Sequence, residues 1–153
     1  QCFRRQRQMC IRDRLCLEVV DLDLYKTLNG FIKKAFEQYT SVYSGILQNN
    51  DPVSTWTTKV QKTKAGGGYH QWHCENGQFL YRDRVLAWMV YLNTVPSQSG
   101  GGTDFLHQKL TLQPEAGTIV LWPASYTHVH RGGFLTGNVD KYIATGWFIR
   151  EPT

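Results

Sequence analysis

The chain has 153 residues, 41% hydrophobic and 13% aromatic, which is enough to build one buried core and too apolar for a disordered chain. No run of about eighteen or more apolar residues occurs, so no helical membrane span is expected. The net charge of +5 is unevenly spread: residues 1–16 hold five arginines against Asp13 alone, leaving twelve basic and eleven acidic groups on the other 137. A nearly neutral body has no electrostatic footprint for phosphate, and nucleic acid is not an expected partner.

The basic segment QCFRRQRQMCIRDRLC has no apolar periodicity and no signal-peptide core. Its string MCIRDR resembles translated sequencing-adapter read-through. Residues 1–16 are therefore expected to be non-native or a disordered basic arm, and residues 17–153 a single domain. Cys2, Cys10 and Cys16 belong to that segment, so the body has only Cys74. One cysteine makes no disulfide framework, and a reducing cytoplasm is the expected compartment.

Beyond it, Leu24, Leu28, Phe31, Ile32, Ala35, Phe36 and Tyr39 step by three and four, which predicts an amphipathic helix over 21–44 with Asp21 or Asp23 as its cap. After Asn49, Asn50 and Pro52 the pattern changes to short β-rich runs at 55–63, 69–75, 79–92, 103–112, 118–122, 126–130 and 141–149. One helix followed by many short strands predicts a mainly β fold, a sandwich or jelly roll with the helix buttressing one sheet. The glycine clusters at 66–68 and 100–102 read as loops, the second as a mobile rim, and neither has the lysine and helix context of a phosphate loop. Trp56, Trp88 and Trp122 read as core aromatics, and His107 as structural.

Within YHQWHCE, His73 and Glu75 are two apart and would share one face of a strand, with His70, Trp72 and Cys74 on the other. A histidine and a carboxylate on one strand, completed by a distant histidine, make a facial triad that leaves open positions on Fe(II). By itself H-x-E is a weak signal, because a strand histidine is more often a packed, hydrogen-bonded residue than a ligand.

The surrounding landmarks make the signal specific. YHQWHCE, RVLAWMVYLN, GGGTDF, LTLQPEAGTIVLWPA, HRG at 130–132 and KYIATGW at 141–147 follow one another in the order seen in the prolyl-4-hydroxylase-like branch of the Fe(II)/2-oxoglutarate dioxygenases, and the chain resembles its small phage and marine bacterial members. The resemblance implies a double-stranded β-helix (jelly roll) with an N-terminal helix. It also implies Fe(II), 2-oxoglutarate and O2 as cofactor and co-substrates, with ascorbate as a further candidate. His73, Glu75 and His130 would be the iron ligands, and Lys141, Tyr91 and Thr145 would hold 2-oxoglutarate. Glu75 stands where the family usually has aspartate; it is one methylene longer and still reaches the metal, and a carboxylate there argues against the halogenating relatives. His128, two residues before His130, is the rival distal ligand, and Arg131 is either a pocket contact or an exposed arginine. The chain also starts late for the family, which leaves room for a preceding strand or helix.

The implied reaction hydroxylates an unactivated C–H bond, with succinate and CO2 as co-products. Its substrate would be a peptide, a prolyl residue or an amino-acid-like small molecule, and the loops at 48–54, 63–68 and 94–102 would frame the pocket. Nothing in the sequence bears on oligomeric state. The competing reading is a cupin-type jelly roll that binds metal without turnover. A nucleic-acid demethylase is disfavoured by the neutral body and by a lone lysine eleven residues after the distal histidine.

Overall fold

The structure, a computed structural model, describes residues 12–48 and 52–151. A short helix α1 (Leu17–Val20) leads into α2 (Leu22–Val42), whose first turn is closed by Asp21 Oδ1 accepting from the Leu24 amide at 2.9 Å. Part of the apolar stripe foreseen on this helix is the face it buries, whereas Leu24 and Phe31 of that stripe are about half exposed. Ile32 is fully buried, Leu28, Phe36 and Tyr39 flank it, and the Phe36 ring stacks on Phe148 at 4.3 Å.

That face covers a five-stranded antiparallel sheet of order β1-β2-β8-β3-β6, formed by β1 (Arg12–Cys16), β2 (Val53–Thr63), β8 (Lys141–Arg150), β3 (Arg84–Tyr91) and β6 (Ile119–Pro123). A smaller sheet of order β5-β4-β7, from β5 (Leu110–Leu112), β4 (Thr103–Phe105) and β7 (His130–Gly132), packs on its other side. Side chains alternate along the central strands. Leu86, Trp88, Val90, Ala144 and Phe148 therefore face the helix, whereas Ala87, Met89, Tyr91, Ile143 and Trp147 face Phe105 and Trp122 inside the roll. The mainly β expectation with a buttressing helix holds, and the inner layer is where a site can be enclosed.

Several expected runs resolve differently. The run at 103–112 is two strands joined by a turn at Leu106–Lys109, the run at 79–92 opens with a 3-10 turn at Phe79–Tyr81, and the run at 126–130 is a 3-10 turn at Tyr126–His128 that precedes β7. Glycines 100–102, expected as a mobile rim, are packed inside. A Cβ on Gly100 would lie 2.4 Å from the Phe134 carbonyl oxygen, and Gly101 and Gly102 are buried. Of the foreseen rim loop 48–54, residues 49–51 lie outside the described residues.

Strand β2 carries a bulge at Thr57, where φ is 54° and the register with β8 shifts between Trp56 and Thr58. Gly146 lies opposite because a Cβ there would meet the Thr57 carbonyl oxygen at 2.2 Å. The bulge turns Trp56 to a half-exposed position across from Trp147, with ring centroids 6.0 Å apart, instead of into the core as expected. The Thr58 amide beside the bulge donates to the Glu18 carboxylate.

The basic segment set apart in the sequence contributes one described element. Arg12–Cys16 pairs residue for residue with Lys59–Thr63 as an antiparallel edge strand, while residues 1–11 lie outside the described residues. Deleting residues 1–16 is thus expected to lower the melting temperature by about 2–4 °C per kcal/mol lost. An unchanged melting curve would show that the strand contributes nothing.

Candidate metal centre

No regular strand forms over 69–75, so the face-sharing expected for His73 and Glu75 does not come from strand alternation. His73 makes a single bridge with His130, the two backbones exchanging N–H···O bonds of 3.0 and 2.9 Å. A turn follows, and the Glu75 and Asn76 amides both donate to the Ala124 carbonyl, at 2.9 and 3.1 Å. The segment is pinned on its flank as well. Arg131, which pairs with Asp104 across β7 and β4 at 2.9 Å, lies 4.4 Å from the Trp72 ring centroid. Arg131 therefore points out of the roll and braces the loop, being on the opposite face of β7 from His130.

The backbone path brings three side chains together. Ligand atoms of His73, Glu75 and His130 all lie within 4.8 Å of one another, and Glu75 Oε1 is 3.4 Å from Nε2 of each histidine. Each ring is oriented by a main-chain carbonyl: His73 Nδ1 donates to Gln71 O and His130 Nδ1 to His128 O, both at 2.9 Å. Because a carbonyl only accepts, Nδ1 carries a proton, and Nε2 is the nitrogen each ring turns toward Glu75, where its lone pair would serve as the ligand. Three lone pairs facing one another at this range repel unless a cation lies among them, so the donor set fits a divalent metal.

His130 is 5% exposed and wedged between Trp122 at 5.0 Å and Phe105 at 5.7 Å between ring centroids, so the site's inner wall is apolar. His128, the rival ligand, lies on the preceding 3-10 turn with its Nδ1 3.1 Å from Thr127 Oγ1, and it is its backbone carbonyl that touches His130. His107 is exposed.

Deeper in the same layer, Lys141 is 5% exposed, with Nζ donating to the Gly101 carbonyl at 2.6 Å. The glycine run is what lets the backbone come so close, since Gly101 has φ 71° and a Cβ there would strike Leu135 at 2.8 Å. Tyr91 is fully buried, its hydroxyl 2.8 Å from Thr103 Oγ1; burial pushes the phenol up to about 12, with the Thr103 bond pulling the other way, so it stays a donor at neutral pH. The Thr145 hydroxyl donates to the Trp88 carbonyl at 2.7 Å and is committed to β3. Two contacts of Glu75 had no counterpart in the sequence reading: Trp147 Nε1 donates to Oε2 at 2.8 Å, and Arg84 Nη1 at 3.2 Å. A lone arginine opening the apolar run RVLAWMVYLN was the available signal for the second.

Residues 58–149 match the sequence model of a family described as the 2OG-Fe(II) oxygenase superfamily. The chain belongs to this superfamily. Fe(II) and 2-oxoglutarate are accordingly its cofactors, and the cluster His73, Glu75 and His130 is its H-x-E…H facial triad. No curated protein matches the chain by sequence. Among solved structures, similarity extends to the viral collagen prolyl hydroxylase of Paramecium bursaria Chlorella virus-1, determined as a 2OG complex, with 18% identity, TM-score 0.65 and coverage of 92% of this chain and 96% of that one. A Trichoplax adhaerens prolyl hydroxylase in complex with a hypoxia-inducible-factor degradation-domain peptide aligns at 16% identity and TM-score 0.74, covering 93% of this chain and 64% of that one. A Pseudomonas putida prolyl-4-hydroxylase aligns at 18% identity and TM-score 0.64, covering 92% and 72%. At these identities the likeness shows that the superfamily's jelly-roll fold is shared. Among the described residues, no helix is long and apolar enough to cross a membrane.

Proposed function

We propose that this 2OG-Fe(II) oxygenase hydroxylates a prolyl residue of a peptide. The observation that carries the reading is that one strand, β8, presents buried Lys141 and Trp147, the donor to Glu75, on the inner face of a single roll, with the triad at one end. His73, Glu75 and His130 hold the metal. Lys141 pairs with the distal carboxylate of 2-oxoglutarate, Tyr91 donates its phenolic proton to the same group, and Thr145 lines the wall between them. A buried ammonium suits this task because its attraction for a carboxylate is screened far less inside the roll than in water. With Fe(II) bound, the centre supplies the superfamily's coupled chemistry, in which 2-oxoglutarate and O2 go to succinate and CO2 while one oxygen atom enters a substrate C–H bond. Phe105, Trp122 and Ile143 keep water from the inner wall.

A peptide is favoured over a free amino acid by the apolar rim on the Trp56 side. Trp56 is 45% exposed, Phe79 and Leu80 are about four-fifths exposed, and the guanidinium of Arg84 lies beneath Trp56 at 5.6 Å. Such a surface extends past the footprint of a single small molecule. Several of the structural relatives are prolyl hydroxylases, one of them in complex with a peptide. The test is succinate formation from 2-oxoglutarate by the iron-loaded protein, with and without proline-containing peptides and free amino acids. Stimulation by peptides, with hydroxyproline found by mass spectrometry, is expected. Stimulation by free proline alone would replace the peptide reading, and absence of 2-oxoglutarate binding by calorimetry would return the protein to a metal-binding jelly roll without turnover.

A further inference from the structure

A glutamate at the carboxylate position poses a geometric problem that an aspartate does not. Its extra torsion lets the carboxylate swing, so that either oxygen, or both, can turn toward the metal. In this structure the two oxygens are already assigned. Oε1 is 3.4 Å from both histidine Nε2 atoms, whereas Oε2 accepts from Trp147 Nε1 at 2.8 Å and from Arg84 Nη1 at 3.2 Å. The same Arg84 nitrogen also donates to the Glu75 backbone carbonyl at 3.2 Å, so one guanidinium grips both ends of the ligand residue.

Arg84 is itself immobilised. It is 7% exposed, its Cζ lying 3.7 Å from the Trp147 ring centroid and 3.9 Å from that of Tyr81. Among the described residues its Nε is buried without a hydrogen-bond partner, a cost that a purely structural arginine would shed by rotating its head into solvent. Retaining that orphan while Nη1 makes two bonds to one residue is what a side chain fixed for the sake of Glu75 looks like.

We propose that Arg84 and Trp147 are positioning residues for the metal ligand: by occupying Oε2 they present Oε1 alone to the metal and make a glutamate serve where a shorter carboxylate would otherwise be used. This rests on His73, Glu75 and His130 being the metal site and does not depend on which substrate is hydroxylated.

The test uses the full chain with Co(II) as a spectroscopic probe, its d–d absorption reporting coordination number and its titration reporting affinity. Trp147→Phe removes the Nε1 donor and keeps a ring. It is expected to change the Co(II) spectrum and weaken binding about tenfold, at the low end of the roughly 10–100-fold effect of such outer partners. In a Glu75→Ala background the same substitution is expected to change neither, because it acts only through Oε2. Arg84→Lys, which keeps the charge and loses the fork, serves as the second variant should Trp147→Phe fail to fold, and is expected to show the same dependence on Glu75. An unchanged Co(II) spectrum in both single variants, or equal losses with and without Glu75, would overturn the proposal while leaving the triad standing. Failure of the unmodified protein to bind Co(II) would overturn the triad reading and this proposal together.

Discussion

Replacing His130 by alanine is expected to weaken Fe(II) binding by at least tenfold, and His128→Ala to change it little, in anaerobic metal titrations of the two variants. His130 Nε2 is one of three ligand atoms, and its ring is 5% exposed, so alanine removes a donor that water cannot replace in the same geometry. His128 touches the centre through its backbone carbonyl, the acceptor for His130 Nδ1, and alanine retains that atom. Losing the His128 side chain costs its contact with Thr127 Oγ1 and an edge-on contact with the Phe105 ring at 6.4 Å between centroids, neither of which is a ligand bond. The reverse result, a large loss for His128→Ala with His130→Ala nearly silent, would mean that the 3-10 turn rearranges when metal binds and that the wrong histidine has been assigned.

Lys141→Glu is expected to abolish 2-oxoglutarate binding and leave metal affinity mostly intact. The side chain is buried, with its ammonium on the Gly101 carbonyl, so the substitution sets a carboxylate against the co-substrate's own carboxylate in a poorly screened interior and turns it toward a carbonyl oxygen as well. Lys141→Met isolates the charge. Removing one partner of a buried pair costs roughly 3–5 kcal/mol, or about 10²–10⁴-fold in affinity, and methionine fills much of the same volume. Calorimetry of 2-oxoglutarate against the metal-loaded variants measures both. Unweakened binding to Lys141→Met would place the distal carboxylate elsewhere, whereas parallel loss of metal and 2-oxoglutarate in Lys141→Glu, together with a collapsed melting transition, would show only that the roll had unfolded.

What the sequence determined by itself was local or spacing-coded. The helix of Leu22–Val42 was legible because a 3.6-residue apolar period is written along one segment, and its Asp21 cap because that residue directly precedes it. The strands ending in Tyr91 and beginning at Lys141 were legible as long β-rich runs, and the triad residues through the order of motifs around them. What the tertiary structure decided was whatever depends on partners far apart in the chain. His73 and Glu75 meet through a bridge to His130 and a turn on Ala124 rather than through strand alternation, and no local pattern encodes a carbonyl fifty residues away. The glycines at 100–102 looked like a mobile loop because glycine marks both flexibility and close packing, and only Lys141 and Phe134 lying against them tell the two apart. Residues 12–16 carry no apolar period of their own, and their pairing as an edge strand depends on the backbone groups that β2, about forty-five residues on, offers them. Arg84 and Trp147 stand 9 and 72 residues from Glu75, and their hold on Oε2 exists only once the sheet sets β3 beside β8.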